Sequence, residues 1–186
     1  TCTLVSPELE QNRSGESYIN DQVKVSAGLY NQDGSDIEDN YAIIYKKQHY
    51  TESSYTVTTE AITHISNTKR TFTLNTCPYL DGASQTDTDM QCGGTNIDLN
   101  KTNNNVVTTW QSKDTTNGKF NVYIRTIVAG TAANSTFQAN TTETKNNSLP
   151  SVKFINENEY LLSYSNYYQE DTGNIPTASK IKGIRY

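Results

Sequence analysis

The sequence predicts an all-β protein built from three repeat units, with antiparallel sheets and almost no helix. Thirteen Tyr residues, together with Val and Ile, alternate with polar residues, as is typical of strands that bury one face. Nowhere do apolar residues recur at helical spacing. Asp33-Gly34 and Asn117-Gly118 suit the positive φ angles of tight hairpin turns. These observations favour short strands joined by polar turns.

Composition and charge exclude several classes of protein. Only 33% of the 186 residues are hydrophobic, so the core must be thin, but charged residues are also scarce at 19%. A disordered chain is normally much richer in charge. The net charge of -5 provides no basic field, so we expect no nucleic-acid partner. A membrane-spanning helix needs about 20 consecutive apolar residues, and the sequence predicts no membrane span because it has no such run.

The first unit is predicted to cover residues 1–75. Val23–Tyr30 is a strand-like run that ends in an aromatic residue, which we call the aromatic anchor of the unit. Ile43–Lys47 is a second apolar run, which we call its closing anchor. Tyr55–Ile65 reads as an extra strand inserted after both anchors. The unit ends within Phe72–Thr76, which has the pattern F-x-x-N-T.

The second unit, residues 76–140, contains the same two anchors with a disulfide-type loop before them. Val106–Ser112 reads VVTTWQS and is its aromatic anchor. Asn121–Arg125 is its closing anchor. The unit ends within Phe137–Thr141, a second copy of F-x-x-N-T, and this recurrence indicates an internal repeat.

The third unit, residues 141–186, is incomplete because no F-x-x-N-T strand follows its anchors Tyr160–Ser165 and Ile181–Tyr186. The chain opens with Thr1-Cys2, which matches Thr76-Cys77 and places unit one just after a further copy of the pattern. The two terminal units are therefore expected to be open on matching edges. Unpaired strand edges are templates for another chain, and a heterologous contact between head and tail generates a filament.

Together the anchors resemble a repeat of very large secreted surface proteins, which runs F-x-V-N-T, a Pro-Ser-Val strand, F-V-V-x-W-Q-S, an Asp- and Gly-rich turn, and I/V-Y-x-x-R-F. The best copy starts at Phe137 and continues through Pro150–Val152, Leu161–Ser165 and Ile181–Tyr186, while Trp110–Ser112 is the most literal match. The resemblance implies blades like those of a β-propeller, with roles in adhesion and coat formation. A closed propeller usually needs four or more blades. Three units imply a segment of a longer array, or a stacked sandwich or solenoid in an open row.

The three cysteines indicate an oxidising compartment. Cys77 and Cys92 bracket a loop rich in Gly, Asp and Thr, and we expect them to form a disulfide that closes it. Cys2 is then left over, so it is expected to bond to a neighbouring chain or to a cysteine outside this segment.

Asn-x-Ser/Thr sequons support a secreted location, although polar loops of this composition also produce such triplets by chance. We expect covalent glycans on these asparagines, and an extracellular or cell-surface location for the protein. The sequons begin at Asn12, Asn100, Asn134, Asn140 and Asn146.

One acidic turn is a candidate calcium site. Hard oxygen ligands at alternating positions are what calcium uses, although the spacing here is neither an EF-hand loop nor a glycine-rich nonapeptide. The plainer interpretation is a solvated turn, so we expect no cofactor, and weakly bound calcium is the alternative. The candidate ligands are Asp33, Asp36, Glu38 and Asp39.

Other candidate sites have plainer explanations. Tyr164, Tyr167 and Tyr168 fall near one turn and could stack on sugar rings, but alternating Tyr residues also cover a thin core. His49 and His64 lie in strand-like segments and are expected to be surface or packing residues. The sequence lacks the motifs G-x-S-x-G, H-E-x-x-H and Cys-x-x-Cys, so we expect no catalytic residue and no enzyme.

The sequence therefore predicts a structural subunit, or a tandem segment, of an extracellular glycosylated fibre, coat or adhesin. Its expected partners are other copies of itself or neighbouring tandem repeats, joined head to tail by pairing of sheet edges. The first alternative is a carbohydrate-binding or calcium-dependent adhesion module. The second alternative is an extracellular hydrolase.

Overall fold

The computed structural model describes residues 17–27, 40–50, 55–77, 92–114, 116, 118–129, 132–140, 146–167 and 179–186. Strands and turns make up this part of the chain, and it contains no helix. The predicted all-β class with antiparallel sheets is confirmed. Accordingly, the described residues include no helix that is long and apolar enough to cross a membrane.

The strands form three antiparallel sheets in chain order. Consecutive strands are neighbours in the sheets and are joined as hairpins, except that the short strands β8 and β9 both pair with β7. Sheet 1 contains β1 (Ser17–Ala27), β2 (Tyr41–Tyr50), β3 (Tyr55–Ile65) and β4 (Thr68–Thr76). Sheet 2 contains β5 (Cys92–Leu99), β6 (Val106–Lys113), β7 (Phe120–Val128), β8 (Ala132–Ala133) and β9 (Phe137–Gln138). Sheet 3 contains β10 (Asn146–Phe154), β11 (Tyr160–Tyr167) and β12 (Ser179–Arg185).

Several of the hairpin turns in the described ranges contain residues with positive φ. Ser66 and Asn67, with φ of 49° and 60°, connect β3 to β4, and such a pair matches the twist of the flanking strands. Gly118, with φ of 68°, lies in the β6–β7 turn and donates from its N–H to the carbonyl of Asp114 at 2.8 Å. This turn contains the predicted turn pair Asn117-Gly118, and Gly118 has the positive φ that was expected.

Two hydrophobic cores join the three sheets in a row. The first core fills the space between sheets 1 and 2, and the second fills the space between sheets 2 and 3, so sheet 2 buries both of its faces. The first core contains Ala42, Ile44, Ala61, Ile65, Leu74, Ile97, Leu99, Val106, Trp110 and Ile127. The second contains Val107, Val122, Ile124, Ala139, Val152, Tyr160, Leu162 and Tyr164.

The first strand of every sheet carries the same irregularity. On β1 the register jumps from Asp21 to Lys24 while the partner strand advances by two residues. On β5 it jumps from Gly93 to Asn96, and on β10 from Ser148 to Ser151, again against two residues of the partner. One extra residue at a fixed place is a β-bulge. The three bulges therefore define equivalent positions in the three sheets.

The bulges correct the alignment of the first unit. Its aromatic anchor Val23–Tyr30 begins on β1 and its closing anchor Ile43–Lys47 lies on β2. In the other two units these anchors lie on the second and third strands of the sheet. The anchors of unit one were therefore placed one strand too early, and Tyr55–Ile65 is not an insert because it is β3 itself. The unit boundaries 1–75, 76–140 and 141–186 stay a prediction.

Candidate functional site: the sheet junctions and the outer edge

The first strands of the three sheets are neighbours, because β5 contacts both β1 and β10. Two residues beyond the bulge, each strand places one polar residue at an equivalent position. These residues are Ser26, Asp98 and Lys153.

The three equivalent residues contact one another in a row. Ser26 Oγ donates to Asp98 Oδ1 at 3.2 Å, and Lys153 Nζ donates to the same oxygen at 2.7 Å. Asp98 is 3% exposed, whereas the side chain of Lys153 is 71% exposed. A buried carboxylate needs partners that satisfy its oxygens. Asp98 obtains these partners from both neighbouring sheets, so it links all three.

A second contact is repeated at both sheet junctions. The backbone N–H of Leu99 donates to Ser26 Oγ at 3.0 Å, and the backbone N–H of Phe154 donates to Asp98 Oδ2 at 2.8 Å. Leu99 and Phe154 are themselves equivalent, since each follows its own polar residue by one position. The third polar residue, Lys153, has donors only and no acceptor. Sheet 3 therefore has no side-chain acceptor at the position where sheets 1 and 2 have Ser26 and Asp98.

A disulfide closes the junction between sheets 1 and 2. The predicted bond between Cys77 and Cys92 is present, with 5.8 Å between the two Cα atoms, and it joins the end of β4 to the start of β5. Both cysteines are buried with Val57. Asn75, from the F-x-x-N-T pattern, reaches across the same junction, with its Nδ2 3.5 Å from Cys92 Sγ and 3.4 Å from Ser112 Oγ.

Buried asparagines occupy the corresponding place between sheets 2 and 3. Asn147 pairs with Asn166 as Cys92 pairs with Ser112, on the same side of the bulge. Asn166 Nδ2 donates to Asn147 Oδ1 at 2.7 Å. This pair lies within sheet 3, and Asn147 Nδ2 also donates across the junction to the carbonyl of Phe120 on β7 at 3.4 Å, where the first junction has a covalent bond.

Asn140, two residues after the end of β9, makes buried contacts with β7 in sheet 2. Its Oδ1 accepts from the backbone N–H of Val122 at 2.7 Å, and its Nδ2 donates to Asn121 Oδ1 at 2.9 Å. Both asparagines are buried. The Nδ2 atom of Asn121 has no hydrogen-bond partner among protein atoms. A buried amide usually finds one, often an ordered water.

The structure separates the predicted glycosylation sites into two groups. Asn100, Asn140 and Asn146 are buried, and the Nδ2 atom of Asn100 donates to the carbonyl of Asn156 at 2.9 Å. A glycan on such an atom would have to displace the contact and enter the core, which weighs against these three positions. Asn134 is exposed, and its Nδ2 donates to Thr126 Oγ1 at 2.7 Å at the surface.

Several other predicted residues lie outside the described part of the chain. The sequon asparagine Asn12, the unpaired Cys2 and the acidic turn belong to this group. Glycosylation, calcium binding and the partner of Cys2 stay predictions. The residues of the acidic turn are Asp33, Asp36, Glu38 and Asp39.

Of the three tyrosines considered for sugar binding, Tyr164 is the one whose side chain the structure describes. Tyr164 is buried in the second core, so its ring faces contact protein. The side chains of Tyr167 and Tyr168 lie outside the described residues. His64 lies 5.0 Å from the ring of Tyr41, centroid to centroid. Within the described ranges, no three His, Cys, Asp or Glu residues are grouped as metal ligands.

A row of four aromatic rings connects sheets 2 and 3. Phe154 meets Tyr160 edge to face at 5.9 Å, Tyr160 stacks on Tyr186 at 5.4 Å, and Tyr186 meets Phe137 edge to face at 5.5 Å. Burial, followed by the nearby Tyr186, raises the pKa of Tyr160 to about 12. Burial also raises the pKa values of Tyr164 and Tyr186. These phenols are therefore neutral throughout the physiological range.

An ion pair joins Glu159 and Arg185, the sequence neighbours of Tyr160 and Tyr186 in the row of rings. Arg185 Nη2 donates to Glu159 Oε2 at 2.5 Å, and Asn156 Nδ2 also donates to this carboxylate. The hydrogen bonds from Arg185 and Asn156 lower the pKa of Glu159. Both charged groups are at the surface, where such pairs contribute little to stability.

Two apolar residues are exposed on sheet 3 although their equivalents on sheet 2 are buried against the next sheet. Counting from the bulges, Leu161 is equivalent to Val107 and Ile181 to Val122. The two valines are fully buried, whereas Leu161 is 44% and Ile181 is 83% exposed. Among the described residues, β12 is also an edge strand, paired only with β11. Within the described ranges, sheet 3 therefore combines two exposed apolar side chains, Leu161 and Ile181, with an unpaired strand edge.

The row formed by the polar residues of the first strands was not predicted, because each of the three is an ordinary polar residue in a strand. Their equivalence depends on the bulges, two of which contain residues that could have indicated them, Gly94 in β5 and Pro150 in β10. The two exposed apolar residues of sheet 3 could have been found by aligning the units in the corrected register, because Leu161 and Ile181 are equivalent to core positions.

Comparisons with models of protein families, with curated proteins and with solved structures found no match.

Proposed function

We propose that this chain is a structural segment of an extracellular assembly, and that it joins its neighbours head to tail through the edge of sheet 3. The observation that carries the proposal is the difference between Ile181, which is 83% exposed, and its equivalent Val122, which is fully buried by the next sheet. Apolar surface of this kind on a strand next to an unpaired edge favours association. The proposed role involves no turnover of a substrate.

The disulfide between Cys77 and Cys92 supports an extracellular location. Disulfides persist in oxidising compartments and are rare in the cytosol. Glycans, which belong to the same proposal, have one exposed acceptor among the described sequons, Asn134. The neighbour in the assembly is another copy of this chain or an adjacent unit of the same kind.

Sedimentation velocity over a range of protein concentrations tests the proposal. We expect species larger than the 20.8 kDa monomer that grow with concentration. The Ile181→Glu variant should abolish them, because a carboxylate would be buried in the contact. Val128→Glu is the matched control, since Val128 is an exposed residue on sheet 2. A monomer of constant mass at every concentration, with and without reductant, would refute assembly.

A further inference from the structure

Both copies of the F-x-x-N-T pattern form the last strand of their sheets. Phe72 lies on β4 opposite Ala61, and Phe137 lies on β9 opposite Ile124. Ala61 and Ile124 are equivalent, because their partners on the second strands lie at the same distance from the bulges. The pattern is therefore used twice in this chain to close the outer edge of a sheet in one register.

The phenylalanine of the pattern lies at a junction between two sheets in both cases. Phe72 packs against the first core, which includes residues of sheet 2. Phe137 lies on sheet 2, and its ring is 5.5 Å from that of Tyr186 at the end of sheet 3. In both copies the ring thus lies on the last strand of its own sheet and packs at the junction with the next sheet.

In sheet 3 the equivalent position is Gly183. It pairs with Ser163, as Ile124 pairs with Thr109. A Cβ atom built on Gly183 would meet no atom within 4 Å, so the space above this residue is open. Leu161 and Ile181 border the space and are exposed. A glycine between apolar neighbours on an edge strand is a slot that an aromatic ring from a paired strand can cover.

Lys153 explains why the occupant is a strand and not a complete further sheet. At both internal junctions the first strand of the next sheet is held by a side-chain acceptor, Ser26 or Asp98. Lys153 stands at that position in sheet 3 and cannot accept a hydrogen bond. The first strand of sheet 3 therefore lacks the side-chain acceptor that holds a following sheet. The edge of its last strand, β12, is the place where a closing strand can pair.

We propose that the outer edge of β12 binds an extended segment of the type Phe-x-x-Asn-Thr, supplied by another repeat, as an antiparallel strand. In the register of the two internal copies, its Phe ring lies over Gly183 between Leu161 and Ile181. Backbone hydrogen bonds give such an added strand its affinity, and the side-chain slot gives it specificity. The inference deepens the assembly proposed above by naming the segment that the edge receives.

A synthetic acetylated and amidated peptide, NSTFQANTT, corresponding to residues 134–142, tests the inference on the full chain. We expect saturable binding in a fluorescence-anisotropy titration. Replacing its phenylalanine, Phe137→Ala, should weaken binding at least about tenfold through loss of apolar contact. Hydrogen exchange should show new protection of amides on β12. Protection on β7 instead would mean that the peptide displaces β9, and would overturn the inference.

The protein variant Gly183→Val fills the slot without removing the strand edge. It should weaken binding of the peptide at least about tenfold, whereas Ser165→Val, beside Ile181 on the neighbouring strand, is the control for a change of β-propensity. A peptide with N-methyl groups on its edge-facing amides should not bind, and this result needs no protein variant. Equal binding of the Phe and Ala peptides, or no binding at millimolar concentration, would overturn the inference.

The result also separates this inference from the proposed function. Assembly in the sedimentation experiment without peptide binding would leave the proposed function in place and remove the Phe-x-x-Asn-Thr strand as its means. Peptide binding by a chain that remains monomeric would support the strand and refute self-assembly.

Discussion

Asp98 and Lys153 stand at the same position of neighbouring first strands, and Lys153 Nζ lies 2.7 Å from Asp98 Oδ1. At this position, the side chain of sheet 2, Asp98, accepts hydrogen bonds, whereas the side chain of sheet 3, Lys153, is a donor. The pair is asymmetric in burial, because the carboxylate is enclosed and the amine reaches it from the surface. Its two members should therefore contribute very different amounts to stability.

Removing the carboxylate should destabilise the protein much more than removing the amine. Asp98→Ala leaves the N–H of Phe154 and the hydroxyl of Ser26 without their acceptor, and an unsatisfied buried group costs about 1–3 kcal/mol. Lys153→Ala removes a solvent-exposed partner and should cost less than about 1 kcal/mol. Urea unfolding measures both variants, with Glu157→Ala as a surface control. Equal losses for the two variants would contradict the proposed central role of Asp98.

Loss of the disulfide should weaken the junction between sheets 1 and 2. The two cysteines are separated by 15 positions, and chain-entropy estimates for such a loop give about 3 kcal/mol. The double variant Cys77→Ser, Cys92→Ser should lower the free energy of unfolding by an amount of this order. Non-reducing peptide mapping of the native protein is the direct check. Finding either thiol free would exclude the bond.

Alkaline pH should destabilise the fold through Tyr160. Its pKa is raised from 10.0 to about 12 in the folded protein by burial, so the folded state holds the phenolic proton where the unfolded state has lost it. Stability is therefore complete below pH 10 and falls as the pH rises from 10 towards 12. Tyr160→Phe should flatten part of this decline, which chemical unfolding at several pH values measures. An ordinary phenol titration near pH 10 in the near-ultraviolet absorbance would count against the burial.

Glycan should be found on Asn134 and not on the buried sequon asparagines when the chain is expressed in a eukaryotic secretory host. Transfer needs an accessible Nδ2, and Asn134 is exposed whereas Asn140 is enclosed by Asn121 and Val122. Enzymatic deglycosylation in heavy-oxygen water, followed by peptide mass analysis, marks each occupied site. A glycan on Asn140 in the folded protein would be incompatible with the contacts at the second junction.

Local chemistry made much of the fold predictable. Branched and aromatic residues identify strands such as Val106–Ser112, and the Asn-Gly pair ending at Gly118 marks a hairpin turn. The spacing of Cys77 and Cys92 indicated the bond between them because both flank one polar loop. All of these signals lie within a few residues or a single loop.

Contacts between sheets were not predictable in the same way. Ser26 and Asp98 are 72 positions apart and meet only because bulges bring their strands into the same frame. The anchors of unit one were misplaced for a related reason, since apolar runs on first and second strands look alike in sequence. Burial of Asn140 depends on Asn121, a residue of another strand, so its sequon gave no sign of it.

The disulfide also has a mechanical consequence for a chain under tension. Cys77 and Cys92 join two sheets, so a force that peels the strands apart must pass through the sulfur atoms and bypass the residues between them. Fully extended chain spans about 3.3–3.6 Å per residue, and the bond therefore hides about 45 Å of contour length across its 15 positions. At the same load, a reduced molecule would extend by that additional length. In the oxidised molecule the disulfide would transmit the force directly from sheet 1 to sheet 2.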